Sequence, residues 1–476
     1  MVKAQVIRAI TRGLKPTLYG VLALALSVLV IGAADAGLPL VDAAKNADTA
    51  AIRRLLQGKI DVNATEPDGT TALHWASYRD DLTSAQLLIR AGANVNAAND
   101  LGASAVWTAS VNGSAAMVQL LLEAGANPNA SLLLGETAVM AAARSGNANI
   151  AQQLLTRGAN ANARAARGQT ALMWAVAQRH PEVVTVLLAY GADVHARSET
   201  WSQVMAVSPH GNPDYNRSIP FGSNTPLMFA ARVGDLESAK LLVAAGAKVN
   251  DVDAWGVSVM VLAAHSGFTD VVEFLLDKGA DVNASGAGFT ALHAAIMRRD
   301  ETLVRTLLAH GANPSLPLKD WTPTRRQSSD FHFEPELVGA TPFWLAARYT
   351  QPGVMRLLVE RGADPRFVHR SDRVVDGRGG KAYEHQKQAT TALMAAVGMG
   401  GGGNAWVPVE RNQRETLALD TVKLAVEYGI DVNAANVDGR TALDAAKTLK
   451  FERVTAYLLE RGAKSGVPDK KDEPRP

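Results

Sequence analysis

Short apolar stripes alternate with glycine-centred breaks along almost the whole chain. A run such as Leu120-Leu121-Leu122 closes on a glycine, and the same ending, LLxxGA(N/D) or a near variant, occurs eleven times. Its glycines are Gly58, Gly92, Gly125, Gly158, Gly191, Gly246, Gly279, Gly311, Gly362, Gly429 and Gly462. From Gly92 to Gly191 the spacing is an unbroken 33 residues; it returns from Gly246 to Gly279 and from Gly429 to Gly462. A fixed period in this range marks a stack of short supersecondary units, each unable to bury its apolar face alone.

A second landmark sits inside each period: Thr71-Ala72-Leu73-His74, Ser104-Ala105-Val106-Trp107, Thr137-Ala138-Val139-Met140 and Thr170-Ala171-Leu172-Met173. Later copies start at Thr225, Ser258, Thr290, Thr341, Thr391 and Thr441. The order predicts a helix whose Thr or Ser accepts from an orphan N–H, followed by an apolar stripe. A second, leucine-rich helix follows, and the next glycine supplies its left-handed C-terminal residue. Stretches such as Ala93-Asn94-Val95-Asn96-Ala97 then lead back as extended fingers.

These two landmarks together resemble the ankyrin repeat family over roughly residues 40–465. The resemblance implies an all-α repeat solenoid of about eleven helix-turn-helix units with finger loops flanking a concave groove. It also implies a non-catalytic module that binds another protein through its concave face and long fingers. One position departs from the family pattern. Histidine is common at the fourth place of the motif, yet here only His74 and His293 keep it, while Met140, Met173, Met228 and Met394 replace it. Methionine fills that volume without a polar tip, so core packing is the expected consequence.

Lys3, Arg8, Arg12 and Lys15 precede an apolar run from about Leu18 to Ala34, which ends at Ala34-Asp35-Ala36. A basic segment, a hydrophobic segment and an A-x-A site read as an export signal over residues 1–36, cleaved after Ala36. The expected location is therefore periplasmic or secreted; an uncleaved N-terminal membrane anchor is the alternative. Removing residues 1–36 moves the formal charge from +2 to near −1. A near-neutral array lacks the clustered Lys and Arg that nucleic-acid binding requires. The absence of cysteine excludes disulfides, thiolate metal sites and Cys nucleophiles. A monomeric solenoid over 37–465 and a disordered charged tail over 466–476 complete the expected organisation.

Function is expected where the period breaks. Thr170 to Thr225 spans 55 residues, Thr290 to Thr341 spans 51, and the next two intervals span 50 each. The insertions fall near 195–222, 315–339 and 367–389, giving three elongated fingers, and near 398–415, between the two helices of one unit. They are rich in aromatic and arginine residues, the types that dominate interface energetics. The expected partner contacts are Trp201 and Tyr215 in the first finger, and Trp321, Arg325, Arg326, Phe331 and Phe333 in the second. Arg370, Arg373 and Tyr383 in the third and Trp406 in the fourth insertion complete the set. The bland reading is that these aromatics pin long loops onto the repeat body.

Other chemistry is weakly supported. The run 400–403 is four glycines, with neither the preceding strand nor the Lys-Ser/Thr of a phosphate loop. His210, His332, His369 and His385 lie in the insertions without metal-type spacing. Asp376, Glu384 and His385 lack any accompanying nucleophile motif. The expectation is thus no enzyme, no metal, no cofactor and no nucleic acid, with a protein partner that the resemblance places in the periplasm, where an enzyme would fit. The alternative is a small-molecule or metal-binding protein whose pocket the fingers roof.

Overall fold

The computed structural model describes residues 38–206, 216–322, 333–375, 384–400 and 410–466. The expected export signal and the tail beyond Gly466 lie outside these residues. Two compact units divide the chain, one ending at Asp100 and the other starting at Leu101.

The described residues form helix pairs at the predicted spacing. The first unit holds α1 (Pro39–Lys45) with α2 (Thr49–Leu55), then α3 (Ala72–Tyr78) with α4 (Leu82–Arg90). The second unit begins with α5 (Ala105–Asn112), α6 (Ala115–Glu123), α7 (Ala138–Ser145), α8 (Ala148–Thr156), α9 (Ala171–Ala177) and α10 (Pro181–Ala189). It continues with α11 (Pro226–Val233), α12 (Leu236–Ala244), α13 (Val259–Ser266), α14 (Thr269–Asp277), α15 (Ala291–Arg298) and α16 (Glu301–Ala309). The last pairs are α17 (Pro342–Arg348) with α18 (Pro352–Glu360), α19 (Ala392–Ala396) with α20 (Arg411–Glu427), and α21 (Ala442–Leu449) with α22 (Glu452–Glu460).

Capping follows the sequence logic. Thr71, Ser104, Thr137, Thr170, Ser258 and Thr290 each accept from the third N–H of the helix they open. Asp81, Ser114, Asn147, Asp235 and Asp300 do the same for second helices. In α3 and α15 the histidine returns the favour: Nδ1 of His74 and of His293 accepts from the Thr71 and Thr290 N–H at 3.1 Å. Met140, Met173, Met228 and Met394 are buried, as the substitution for histidine implied.

Neighbouring repeats are stitched by an asparagine at the base of each short finger. In the second unit, Asn129, Asn162, Asn250 and Asn283 donate through Nδ2 to the carbonyl of the next repeat's glycine, at 2.9–3.2 Å. Their Oδ1 atoms accept from a backbone N–H two residues further on, at 2.7–2.8 Å. Asn63 in the first unit repeats the arrangement. The three long fingers start where this asparagine is replaced, by His195, Ser315 and Arg366.

Regular structure inside the insertions departs from the all-α expectation. The first long finger contains an antiparallel hairpin, β1 (Trp201–Ala206) and β2 (Asn216–Phe221), with Trp201 opposite Phe221. The third contains β3 (Val368–Val375) and β4 (Glu384–Thr391), with His369 opposite Thr390. The β3 sequence, Val-His-Arg-Ser-Asp-Arg-Val-Val, holds five consecutive polar residues and lacks the polar–apolar alternation by which a half-buried strand is read from sequence. The fourth insertion also differs from a plain link: its last residues lengthen α20 to 17 residues, against nine in α18 and α22.

Candidate protein-interaction face

The residue after the His/Met landmark is buried where it is small, as at Ala141, Ala294 and Ala395, and only half-buried where it is large. Trp174 and Phe229 occupy it on α9 and α11, both half-buried, and Leu262 continues the row on α13. Trp107, one place earlier on α5, is half-buried too. Trp174 and Phe229 each have a cation beside them. The Arg144 guanidinium lies 5.8 Å from the Trp174 ring, and that of Arg232 lies 5.7 Å from Phe229. In the first unit, Lys45 Nζ stands 4.8 Å over Trp75, whose indole donates to Glu66 at 2.7 Å.

These cations are held by carboxylates from the fingers. Arg144 is 3.1 Å from Glu136. Burial pushes the Glu136 carboxyl up, and the Arg144 charge pulls it back. Arg232 donates to Asn224 Oδ1 at 2.9 Å, and burial lowers its pKa against the pull of Asp253. Burial likewise raises Asp253, opposed by the backbone N–H groups of Val257 and Trp255 and by Arg232. The result is a surface with aromatic area exposed and charge internally neutralised, suited to contact rather than to proton transfer.

The long fingers are seated on this array by specific bonds. Arg197 donates to the Ser223 carbonyl at 2.9 Å, the Val252 carbonyl at 2.8 Å and Asp251 Oδ1 at 2.7 Å, tying the first long finger to the next short one. Trp201 is half-buried, stacked on Phe221 with centroids 5.7 Å apart and with the Arg167 guanidinium 4.3 Å above it. At Gly222 (φ +94°) a Cβ would stand 1.9 Å from the Glu199 carbonyl oxygen, so the hairpin base closes only on glycine.

In the second finger, Trp321 is 6% exposed and Phe333 0%. Phe333 packs on Phe289 and His293, with centroids 5.5 and 6.3 Å away. The expectation of exposed anchors is corrected at these two positions. Both side chains fold inward because a long finger must bury apolar area of its own to stay on the body.

The third hairpin is fixed by His369, 0% exposed, whose Nε2–H donates to the Val338 carbonyl at 3.0 Å and whose ring lies 4.3 Å from Trp344. The Trp344 indole donates to the Thr390 carbonyl at 3.2 Å. Arg370 is exposed on β3, and the backbone of Arg373 pairs with Gln386. Tyr215, Arg325, Arg326, Phe331, Tyr383 and Trp406 lie outside the described residues.

Two concavities bear on a ligand-binding reading. One, about 160 Å³, lies beside the second and third fingers and is lined by Pro314, Ser315, Pro317, Thr341, Ala363, Asp364 and Phe367. It is smaller than the roughly 300 Å³ at which small-molecule sites begin, and no His or Arg lines it. The other, about 300 Å³, is an open groove between α6 and α8. Among the described residues, no group of three or more His, Cys, Asp or Glu could hold a metal ion, and no helix is long and apolar enough to cross a membrane.

Sequence reasoning placed binding on the concave face and the long fingers but named contacts only in the insertions, passing over Trp107, Trp174 and Phe229. The signal was present: large aromatics at or just after the fourth motif position, where Ala294, Ala395 and Ala445 stand in later repeats. The exchange of the stitching asparagine for His195, Ser315 and Arg366 likewise announced each long finger.

Comparison with known proteins agrees with this architecture. A family model described as ankyrin repeats (3 copies) matches residues 40–132, 128–198 and 227–318, and a single ankyrin repeat matches 338–370. The chain is 39% identical over 105 residues to an ankyrin repeat-containing protein of Treponema pallidum, covering 21% of this chain and 35% of that one. It is 27% identical over 246 residues to the palmitoyltransferase ZDHHC13 of Danio rerio, covering 47% of this chain and 33% of that one. The chain thus spans about a third of the length of these relatives. The human ASB11 ankyrin repeat domain superposes with a TM-score of 0.42 at 26% identity, covering 52% of this chain and 99% of that domain.

Proposed function

The chain belongs to the ankyrin repeat family, and from that premise we propose that it is a non-catalytic scaffold that binds another protein in the compartment to which its N-terminal signal sends it. Ankyrin repeats are generally protein-interaction scaffolds, and the fold is typically non-enzymatic. Fold alone does not name a partner, so the surface carries the argument.

The carrying observation is the row Trp174, Phe229 and Leu262 on successive first helices, each half-buried and presented without an unpaired charge beside it. Preordered aromatic side chains lose little entropy on binding, which converts contact area into affinity. Trp201 and Arg370, at the bases of the two hairpins, extend the surface beyond the first helices. Arg325, Arg326, Arg373, Tyr215, Phe331, Tyr383 and Trp406 remain proposed contacts on the fingers. The basic-apolar-AxA segment supports export to the periplasm, with a periplasmic enzyme as a fitting partner.

Two measurements test this reading. Mass analysis of the purified chain from the exported fraction is expected to show a mature N-terminus at Gly37; a full-length chain in the cytoplasm would remove the export part. Affinity capture from that fraction, with wild type and with a Trp174→Ala, Phe229→Ala variant as baits, is expected to give a stoichiometric protein lost with the variant. A protein retained equally by both baits would move the binding face elsewhere.

A further inference from the structure

The base of the third hairpin rests on one imidazole. His369 is 0% exposed, and its Nε2–H donates to the Val338 carbonyl of the second finger at 3.0 Å. A carbonyl only accepts, so this bond keeps the proton on Nε2 and leaves Nδ1 bare. That Nδ1 is buried without a partner. The ring lies 4.3 Å from that of Trp344, also 0% exposed, whose indole donates to the Thr390 carbonyl at 3.2 Å. Thr390 stands opposite His369 across the hairpin. The fourth insertion closes the same spot: a Cβ on Gly400 (φ +102°) would stand 2.6 Å from the Trp344 ring and 3.0 Å from Thr390 Oγ1. Parts of three insertions thus meet around His369.

The elements packed here carry few charges. Glu334 and Glu336 flank or lie in the short turn Pro335–Leu337, and Arg348 and Tyr349 end α17. Arg370, Asp372 and Arg373 lie on β3 and Lys387 on β4, while α19 carries no ionisable residue. Glu384 and His385 pair with Val375 and Val374 at the far end of the hairpin. None of these sets the state of His369: burial lowers its pKa against the pull of the Val338 carbonyl. The hydroxyl oxygens of Ser371 and Thr390 are buried without partners and are neutral.

We infer that His369 is a proton-operated latch: neutral, it seats the third hairpin on the second finger and Trp344, and protonated, it releases the hairpin. A second proton would place a charged N–H at Nδ1, in a buried site with no anion to balance it. Release returns that charge to water. The seated form binds the proton less tightly than the released one. The seat is therefore complete above about pH 6.5 and weakens as the pH falls below that value. This device goes beyond the scaffold reading and needs no partner to operate.

The test is hydrogen exchange of the full chain at about pH 7.5 and about pH 5, corrected for the intrinsic pH dependence of amide exchange. Wild type is compared with His369→Gln, whose neutral amide donates to a carbonyl but does not titrate. In the wild type, opening of the β3 and β4 amides is expected to rise more than about twofold at the lower pH. The helices α5 to α8, which contain no histidine, should change less. The variant hairpin should show no rise. NMR of the 15N-labelled histidines, with the His369 signal assigned by its loss in the variant, should show a bare Nδ1 at neutral pH and a midpoint below about 6.5.

Hairpin protection that persists to the lower pH in the wild type would overturn the latch, as would a rise that remains in His369→Gln. Should the glutamine variant fail to seat the hairpin at either pH, the NMR titration decides. A midpoint at or above about 6.5 then overturns the inference, and one below it, coincident with hairpin opening, upholds it.

Discussion

Phe333→Ala separates packing from contact in the second long finger. Phe333 is 0% exposed and touches Phe289 and His293 at centroid distances of 5.5 and 6.3 Å. Its N–H also donates to Thr322 Oγ1 at 2.6 Å, and its carbonyl accepts from the Thr322 N–H at 2.9 Å, so ring and backbone close the finger together. Truncating a fully buried phenylalanine costs about 3–5 kcal/mol, most of it lost transfer energy plus a residual cavity. The backbone bonds survive the change, which keeps the expected loss at the lower end of that range. Urea unfolding gives the size of the loss, and hydrogen exchange gives its place. Faster exchange is expected for amides that bridge the finger base, such as Leu318 and Gly339, which bond to Ala340 and Leu318. Segments near α5 and α7 should exchange as in the wild type, because repeat arrays unfold by neighbouring units. Partner capture should then fall only with the fraction of folded finger. A loss below about 1 kcal/mol together with abolished capture would refute the packing role and return Phe333 to the contact surface.

Asn162→Ala removes two inter-repeat bonds, to Gly191 at 2.9 Å and from Asp193 at 2.7 Å; about 1–2 kcal/mol of destabilisation is expected, with faster exchange at the Asp193 amide. His293 is buried with its pKa lowered by desolvation to about 4. The unfolded chain therefore binds the proton first, and stability is complete above about pH 6.5 and declines toward pH 4. His293→Met, the residue four sister repeats carry, should flatten that decline in acid-unfolding curves. Burial raises the Asp444 pKa, but hydrogen bonds from the Ser465 hydroxyl, the Thr441 N–H at 2.8 Å and the Gly466 N–H at 3.0 Å outweigh it and bring it to about 2. Its closure of the last repeat is thus present above about pH 4 and lost as pH falls through 2; NMR titration of the Asp444 carboxyl should find the midpoint there, and a midpoint near 4 would dismiss the closure.

Much of the repeat architecture was legible because each unit announces itself twice, once by its capping Thr or Ser and once by its glycine. Both signals are local, so no knowledge of tertiary contacts was needed to place α5 to α10. The hairpins were not legible for the opposite reason. The β3–β4 hairpin is held by His369 against Trp344, a contact between residues 25 apart in sequence, and no polar–apolar alternation in β3 reveals it. Trp321 and Phe333 were legible as important but not as buried. An aromatic in a long insertion looks the same whether it faces a partner or the neighbouring helix, and Phe289 one repeat earlier decides between them. The aromatic row was present in the sequence but hidden by its regularity: Trp174 and Phe229 sit where a family motif draws the eye to the preceding residue.

Hydroxyl-radical footprinting of the chain, alone and with its captured partner, tests the central claim most directly. Protection is predicted at Trp107, Trp174, Phe229 and Leu262, with the second helices α6, α8 and α10 unchanged. Protection confined to the second helices, for instance at Tyr190 and the groove between α6 and α8, would contradict the account.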